Sequence, residues 1–281
     1  MQIATNYTLA ALLSLTRAAG NAIMDIYEAA AAGDNCELDE KANGAGPLTQ
    51  ADLAAHAILS EGLLALDRSI PVVSEEDPAS HPLRRPTGHF WLIDPLDGTK
   101  EFLARTGEFT VNVALIEDGV PTIGIVFAPA LNEMFWGQQG NGAFKDDGVR
   151  VASIRSSRPP LPDTLRVVAS RSHLDDATRA FVSRLGPHTL VQAGSSIKFC
   201  RVAEGAADLY PRFGPTCEWD VAAAQAILES AGGDITVADG SRLLYGKPNV
   251  LNPAFVAWGA SARALSVQLN SENTGIQEPN A

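Results

Sequence analysis

The chain has 281 residues, enough for one large domain or two closely packed subdomains. Its formal net charge of −12 argues against a general nucleic-acid-binding surface, because such a surface needs a basic face. The three cysteines, Cys36, Cys200 and Cys217, show no C-x-x-C spacing. This pattern indicates a reducing compartment and argues against a disulfide framework or a zinc site.

Two helices are predicted at the start of the chain. Apolar residues at helical spacing predict an amphipathic helix over residues 7–31, which Gly33 ends. No basic segment precedes this helix, so we expect neither a signal peptide nor a membrane span. Residues 34–48 have the composition of a loop, and a second helix is expected from Thr49 to about Leu66.

Short strands follow the second helix. Apolar runs and alternation predict them at Pro71–Ser74, Phe90–Asp94, residues 110–117 and residues 123–127. Turn signals occur at Asp118-Gly119, Gly140–Gly142 and Asp147-Gly148. The first half of the chain therefore predicts two helices packed on an antiparallel meander.

The second half alternates strands with helices, which is typical of an α/β unit. The expected strands are Arg166–Ala169, Leu190–Gln192, Ala207–Tyr210 and Asp234–Val237, and the expected helices are residues 175–185, 196–204 and 220–231. A proline-rich segment marks the junction between the halves. We therefore divide the chain into an N-terminal α+β subdomain (1–160), a C-terminal α/β subdomain (161–267) and a polar tail (268–281).

The segment at 91–99 carries the strongest chemical signal. It places Asp94 at the end of an apolar strand, a proline then interrupts the strand ladder, and Asp97 follows three residues after Asp94. Two carboxylates on one tight turn repel each other unless a cation lies between them, and such oxygen ligands suit Mg²⁺. Gly98 and Thr99 would stand at the N-terminus of a helix, where their N–H groups could bind a phosphate. A plain turn with solvated aspartates is the alternative.

Three further acids are candidates for the same site. Glu75 follows an apolar strand and belongs to the acidic run at 75–77, which could instead be a solvated loop. Asp220 precedes an apolar helix, where it could bind a metal, cap the helix or do both. Asp52 completes a Thr-x-x-Asp capping box with Thr49, and a catalytic role for Asp52 stays open beside that structural one.

Longer motifs point to a known family. They are Ser-Glu-Glu-Asp-Pro at 74–78, Trp-Leu-Ile-Asp-Pro-Leu-Asp-Gly-Thr-Lys-Glu-Phe at 91–102, Gly-Glu-Phe-Thr-Val-Asn at 107–112, Ser-Arg-Ser-His at 170–173, Gly-Ser-Ser-Ile-Lys-Phe-Cys at 194–200, Tyr-Pro-Arg-Phe-Gly-Pro-Thr at 210–216 and Trp-Asp-x-Ala-Ala at 219–223. Through these motifs the chain resembles the inositol monophosphatase superfamily. Within it, the chain resembles the CysQ-type 3′(2′),5′-bisphosphate nucleotidases over about residues 8–258.

The resemblance implies a fold and an activity. The fold is a layered α-β-α-β-α sugar-phosphatase fold of the α/β (α+β) class, with an antiparallel sheet in the N-terminal half. The activity is Mg²⁺-dependent release of the 3′-phosphate from 3′-phosphoadenosine 5′-phosphate (PAP), which gives AMP and serves sulfur assimilation. The resemblance also implies two or three Mg²⁺ ions per active site and inhibition by Li⁺.

The resemblance further implies which residues hold the metal. Glu75, Asp94 and the carbonyl of Leu96 would hold one Mg²⁺. Asp94, Asp97 and Asp220 would hold the second, so that Asp94 bridges the two. Of these residues Glu75, Leu96, Asp97 and Asp220 would also face the substrate.

Other roles implied by the resemblance concern water and substrate. Asp52 and Thr99 resemble the pair that activates the attacking water, Gly98 and Thr99 receive the phosphate, and Glu76 joins an outer or third metal shell. The remaining substrate contacts are expected from Ser170, Arg171, Ser195, Lys198 and Arg212. Two stretches depart from the family pattern, namely the longer loop at 41–47 and the pair Cys217-Glu218.

Several alternatives to this function remain open. An inositol or sugar monophosphatase of the same superfamily would not need cations for a second phosphate. A non-catalytic nucleotide sensor would lack Asp52 or Thr99, and the net charge disfavours an RNA-binding regulator. We expect a cytoplasmic protein, or one held peripherally on the cytoplasmic face of the inner membrane. It would bind a small nucleotide bisphosphate and no nucleic acid, as a monomer or homodimer.

Overall fold

The computed structural model describes residues 8–31, 37–40, 47–169 and 175–266. Two long helices come first, α1 (Leu9–Ala31) and α2 (Gln50–Leu66), and both agree with the predicted helices. Thr49 caps α2 and Asp52 completes the capping box, as its sequence pattern predicts. Gly33, the predicted end of the first helix, lies outside the described residues.

Helix α1 packs against α2 and the first sheet. Its Leu12, Ala19, Ile23 and Tyr27 are buried there, at the helical spacing seen in the sequence. By length and composition the stretch Leu9–Ala30 could also cross a membrane, a property that apolar core helices of other proteins share. In this structure one face of α1 contributes to the core.

The segment expected to be a loop at 34–48 contains two strands. β1 (Glu37–Glu40) pairs antiparallel with β2 (Pro47–Thr49), so that prediction was wrong for these residues. The sequence signal was missed because Glu-Leu-Asp-Glu has no apolar run, and the pairing depends on backbone hydrogen bonds between separated segments. The residues between the two strands, and with them most of the unusual 41–47 loop, lie outside the described residues.

A seven-stranded sheet forms the N-terminal half. Its strands in spatial order are β3 (Val72–Ser74), β4 (His89–Asp97), β5 (Thr110–Glu117), β6 (Val120–Ala128), β7 (Glu133–Gln138), β8 (Gly142–Asp146) and β9 (Val151–Ile154). The predicted antiparallel meander is confirmed from β4 to β9. β3, however, runs parallel to β4, which brings the carboxyl ends of these two strands to the same edge.

A five-stranded sheet forms the C-terminal half. Its strands in spatial order are β11 (His188–Gln192), β10 (Leu165–Ala169), β12 (Leu209–Arg212), β14 (Phe255–Trp258) and β13 (Asp234–Val237). Strand β10 pairs in parallel with β11 and with β12, and β14 is antiparallel to both of its neighbours. The predicted α/β unit is thus present. Strand β14 was not predicted, and β12 begins and ends two residues later than expected.

Four shorter helices complete the described part of the chain. They are α3 (Thr99–Leu103), α4 (Asp176–Ser183), α5 (Ile197–Ala203) and α6 (Glu218–Ser230). The two central helices, α5 and α6, lie between the sheets in a shared apolar core. A second core joins α1 and α2 to the opposite face of the seven-stranded sheet, and a third places α4 against the outer face of the five-stranded sheet. The layered α-β-α-β-α fold is confirmed.

Two glycines let α6 approach the seven-stranded sheet. A Cβ on Gly124 would lie 2.0 Å from the carbonyl oxygen of Ala223, and one on Gly137 would lie 2.7 Å from the Cα of Ile227. Only residues without a side chain fit under the helix at this spacing. The two sheets lie on either side of the predicted boundary at residue 160, while the division into subdomains stays a prediction.

Candidate active site

The end of β4 carries the two central aspartates. Asp94 pairs with Asn112 and Asp97 pairs with Thr110, so one extra residue is accommodated between them as a bulge. The strand therefore continues past Pro95, although the proline was expected to end it. Within the bulge the N–H of Leu96 donates to Asp94 Oδ1 at 3.1 Å. This hydrogen bond gives the N–H an acceptor in place of a carbonyl of the neighbouring strand.

A tight turn follows Asp97. Gly98 has φ +93° and precedes the first residue of α3, Thr99, as the sequence suggests. A Cβ on Gly98 would lie 2.2 Å from Ser195 Oγ, so both the backbone angle and the neighbour require glycine. Ser195 itself has φ +44° and its hydroxyl lies 2.9 Å from the carbonyl oxygen of Asp97. This contact ties the turn to the C-terminal half.

The structure brings Asp52 and Thr99 together. Asp52 Oδ2 accepts hydrogen bonds from the backbone N–H and the hydroxyl of Thr49, at 2.8 Å and 2.6 Å. Asp52 Oδ1 faces Thr99 Oγ1 at 3.5 Å, and the same hydroxyl lies 3.4 Å from the carbonyl oxygen of Leu96. One oxygen of Asp52 therefore caps α2 while the other faces the candidate catalytic threonine. The two interpretations of Asp52 are compatible.

Glu75 lies beside Asp94 because β3 and β4 are parallel. Its N–H donates to the carbonyl oxygen of Ile93 at 3.2 Å, immediately before Asp94. Two histidines support the preceding residue, Ser74. His56 Nδ1 lies 2.8 Å from its hydroxyl, and His81 Nε2 lies 3.0 Å from its carbonyl oxygen. The end of β3 is thus held from two sides, which fixes where Glu75 leaves the sheet.

Asp220 enters from the C-terminal half, in the first turn of α6. Its Oδ2 accepts the N–H of Cys217 at 2.8 Å, so it helps to cap the helix as one alternative proposed. Burial of the carboxylate, followed by the charges of Asp97 and Glu75, raises the pKa of Asp220 to about 8. The part of this shift that comes from Asp97 and Glu75 indicates that acids from both halves lie close enough to repel one another.

The pKa of the Cys217 thiol is affected by the same group of acids. Burial raises its pKa, and the charges of Asp220, Glu75 and Asp94 raise it further. All four predicted metal-binding carboxylates therefore act on one region. Hard oxygen donors of this kind fit Mg²⁺, whose charge would offset their repulsion. Among the residues that the structure describes, however, no group of three or more acidic, histidine or cysteine side chains is arranged as a set of ligands for a metal ion.

Ser196 joins the two halves of the site and was missed by the sequence analysis. Its N–H and its hydroxyl lie 2.7 Å and 2.8 Å from Asp97 Oδ2, and the hydroxyl lies 2.7 Å from the backbone carbonyl oxygen of Asp220. The Gly-Ser-Ser motif predicts a site contact for Ser195 and none for Ser196. A serine gives no sign in sequence of which distant carboxylate it contacts.

The residues predicted to bind the second phosphate are partly placed by the structure. Lys198 Nζ lies 5.7 Å from the centre of the Tyr210 ring, and Arg212 Nη2 donates to the carbonyl oxygen of Pro215 at 3.0 Å. The charge of Arg212 also lowers the pKa of Asp220, although burial and the charges of Asp97 and Glu75 raise it more. The other two candidates, Ser170 and Arg171, lie outside the described residues.

Glu218 belongs to the pair that departs from the family pattern. Its buried carboxylate is contacted by Arg84 Nη1 at 3.0 Å and by Lys247 Nζ at 2.7 Å. The N–H groups of Gly246 and Lys247 also donate to it, each at 3.0 Å. The unusual acid before the Trp-Asp motif therefore anchors the first turn of α6 to other segments.

Comparison with known proteins agrees with this fold. The inositol monophosphatase family model matches residues 5–272, so the chain belongs to the inositol monophosphatase family. Members of this family are metal-dependent phosphatases. The inositol monophosphatase of Anabaena shares the fold, with a TM-score of 0.71 and 24% identity over 94% of this chain and 95% of the other.

More specific similarity is found to CysQ proteins. The 3′(2′),5′-bisphosphate nucleotidase CysQ of Salmonella typhimurium is 46% identical over 243 residues, which cover 86% of this chain and 95% of that protein. The CysQ of Buchnera aphidicola is 36% identical over 252 residues, covering 88% and 91%. The crystal structure of CysQ from Bacteroides thetaiotaomicron superposes with a TM-score of 0.76 and 36% identity, covering 89% of this chain and 96% of that one.

Proposed function

We propose that the chain is a 3′(2′),5′-bisphosphate nucleotidase that removes the 3′-phosphate of PAP and releases AMP and phosphate. The observation that carries this proposal is the 46% identity to the CysQ nucleotidase of Salmonella typhimurium over nearly the whole of both proteins. The site supports it independently, because carboxylates from both halves meet beside a pair suited to activate water. Through this activity the protein would recycle PAP in sulfur assimilation.

The proposed cofactor is Mg²⁺, with two or three ions per site. Glu75, Asp94 and the carbonyl of Leu96 would hold the first, and Asp94, Asp97 and Asp220 the second, while Glu76 would join an outer shell. Bound there, Mg²⁺ would supply positive charge that makes water more acidic and stabilises the leaving oxygen. The raised pKa of Asp220 supports this ligand set, because acids that repel one another are stabilised by a shared cation.

Asp52 and Thr99 would together accept the proton of the attacking water. Thr99 Oγ1 lies 3.5 Å from Asp52 Oδ1, so its hydroxyl hydrogen can point to the carboxylate while its lone pairs face the site. The water proton would pass to Thr99 Oγ1 as the threonine proton passes to Asp52 Oδ1. Gly98 and Thr99 would bind the scissile phosphate through their N–H groups.

The second phosphate needs cations of its own, because the metal site would serve only the scissile group. We assign this role to Lys198 and Arg212, with Arg171 as a third contributor and Ser170 as a hydroxyl donor. The hydroxyl of Ser195, the other predicted contact, donates instead to the carbonyl oxygen of Asp97 or Glu108. The positive charge of Arg212 acts on Asp220, which supports a place for Arg212 near the scissile site. Glu75, Leu96, Asp97 and Asp220 would border the scissile phosphate together with the metal.

We further propose a cytoplasmic location, which agrees with the free thiols of Cys200 and Cys217. Peripheral membrane attachment and the choice between monomer and homodimer stay predictions.

Phosphate release from a substrate panel tests the proposal. PAP, its sulfated relative PAPS, adenosine 3′-monophosphate and inositol 1-phosphate would each be assayed with Mg²⁺ and with a chelator. We expect Mg²⁺-dependent hydrolysis with the highest kcat/KM for a bisphosphate. Preference for inositol 1-phosphate over PAP would move the assignment to the inositol monophosphatases, and hydrolysis that survives chelation would contradict the metal mechanism.

A further inference from the structure

Ser196 lies where the two halves of the site meet. It precedes α5, is 1% exposed, and presents two donors to one oxygen of Asp97. The N–H is 2.7 Å and the hydroxyl 2.8 Å from Asp97 Oδ2. Thr110 and Asn112 contact the same oxygen at 3.4 Å and 3.5 Å. Protein donors therefore occupy Oδ2, so Oδ1 is the oxygen with which Asp97 would hold a metal ion.

The Ser196 hydroxyl also contacts the helix that carries Asp220. It lies 2.7 Å from the backbone carbonyl oxygen of Asp220 and 2.9 Å from Asn112 Nδ2, which donates to it. A hydroxyl has one hydrogen, so it can donate to Asp97 or to the Asp220 carbonyl, but not to both at once. Because Asn112 occupies one lone pair, the hydrogen is directed to these two acceptors.

The helix behind Ser196 is held at its far end by an ion cluster. Lys145 contacts Glu133 at 2.5 Å and Glu204 at 2.9 Å, and Arg201 contacts Glu133 at 2.7 Å and Glu204 at 2.6 Å. These residues belong to β7, β8 and the end of α5. Helix α5 is thereby fixed to the seven-stranded sheet, so Ser196 is a rigid support for the groups it contacts.

We propose that Ser196 is a positioning residue that sets the separation of the Asp97 and Asp220 carboxylates and thereby the affinity for the divalent cation they share. The inference rests on the proposed metal site. Asp97 and Asp220 repel each other, and the N-terminal and C-terminal halves supply one each. The Ser196 hydroxyl donates to one of these two groups at a time and contacts both, so its position limits how far the Asp97 carboxylate and the Asp220 backbone can shift relative to each other. Together with the Ser196 N–H, it would keep Asp97 turned so that Oδ1 could face a cation.

Removing the hydroxyl should weaken metal binding. In Ser196→Ala the N–H bond to Asp97 remains, so the carboxylate keeps one support and loses the other. Loss of such an outer contact typically weakens metal affinity about 10- to 100-fold.

The test is calorimetric titration of the folded protein with Mg²⁺ and with Mn²⁺, in the absence of substrate. The matched control is Ser156→Ala. Ser156 is also a buried serine, 3% exposed, and its hydroxyl donates to the carbonyl oxygen of Ala231 at the opposite end of α6. We expect a 10- to 100-fold higher metal Kd for Ser196→Ala, as is typical of lost outer contacts, and an unchanged Kd for Ser156→Ala.

Each result decides the inference. Unchanged metal affinity in folded Ser196→Ala, or equal weakening in Ser156→Ala, would overturn it. Ser196→Thr retains the hydroxyl and serves as the rescue variant, so weak metal binding by folded Ser196→Thr would also count against it. Because the titration uses no nucleotide, failure of the nucleotidase assignment would show in the substrate panel and not here.

Discussion

Replacing Asp52 by asparagine separates its structural role from its proposed catalytic one. The aspartate makes two short contacts with Thr49 through Oδ2 and a 3.5 Å contact with Thr99 through Oδ1. An asparagine has one oxygen, which must face Thr49 because the Thr49 N–H needs an acceptor. Its NH₂ group then faces Thr99 and cannot accept a proton.

The size of each effect follows from these contacts. Both hydrogen bonds from Thr49 survive but lose their charged acceptor, which should cost about 1 kcal/mol of folding free energy. For a protein of this size, that lowers the melting temperature by about 2–4 °C. The loss of a general base should lower kcat by about 10²- to 10⁴-fold with little change in KM, since Asp52 acts on the water and not on substrate binding.

The assay measures kcat, KM and melting temperature on the same preparation of each variant. Thr49→Ala is the matched control, because it removes the capping hydroxyl and leaves the Asp52 and Thr99 pair in place. It should cost about 0.5–2 kcal/mol of stability and retain most of the activity. If Asp52→Asn keeps a kcat within about threefold of the wild type, the residue only caps α2 and the catalytic assignment is wrong.

Four further predictions follow from the same site. Asp94→Asn should abolish phosphate release while leaving the fold intact, because Asp94 would bridge both metals; near-normal turnover with unchanged circular dichroism would disprove the bridge. Li⁺ should inhibit hydrolysis in a substrate-concentration series, and complete insensitivity at high Li⁺ would count against the assignment. Lys198→Gln and Arg212→Gln should each lower kcat/KM for PAP by about 10- to 100-fold but barely affect hydrolysis of a 3′-monophosphate, since charged hydrogen bonds contribute about 1.5–3 kcal/mol. Equal losses on both substrates would refute the second-phosphate role. The control variant is Arg150→Gln, which removes an exposed arginine. Finally, the folded protein in chelator holds a proton on Asp220, with a pKa of about 8, that the unfolded chain releases above its ordinary pKa of 3.8. The free energy of unfolding should therefore fall as pH rises between these two values, and it should fall by more in the wild type than in Asp220→Asn. An equal fall with pH in the two proteins would show that Asp220 does not hold this proton.

Sequence patterns predicted the acids of the site because they stand at the ends of strongly apolar strands. Glu75 and Asp94 each follow such a strand, and the expected capping box of Asp52 is present. The antiparallel meander was also predictable, because its turns contain glycine and its strands alternate. These signals are local, so neighbouring residues along the chain are enough to reveal them.

Predictions failed where pairing between distant segments decides the structure. The β1–β2 pair has no apolar pattern, and β14 forms because β12 and β13 flank it. The strand around Pro95 continues because a bulge accommodates the proline and the ladder resumes at Asp97. In each case the partner strand supplies the hydrogen bonds, and no window of the sequence contains both partners.

By itself the sequence determined which groups could act, namely the carboxylates, the threonine and the cations, and in which motifs they stand. Only the tertiary structure decided how these groups meet. The parallel pairing of β3 and β4 brings Glu75 to Asp94, and the Gly124 and Gly137 contacts let α6 pack closely on the sheet that carries them. Ser196 then connects Asp97 to that helix. Such long-range contacts depend on packing and backbone geometry across the fold, which a motif does not encode.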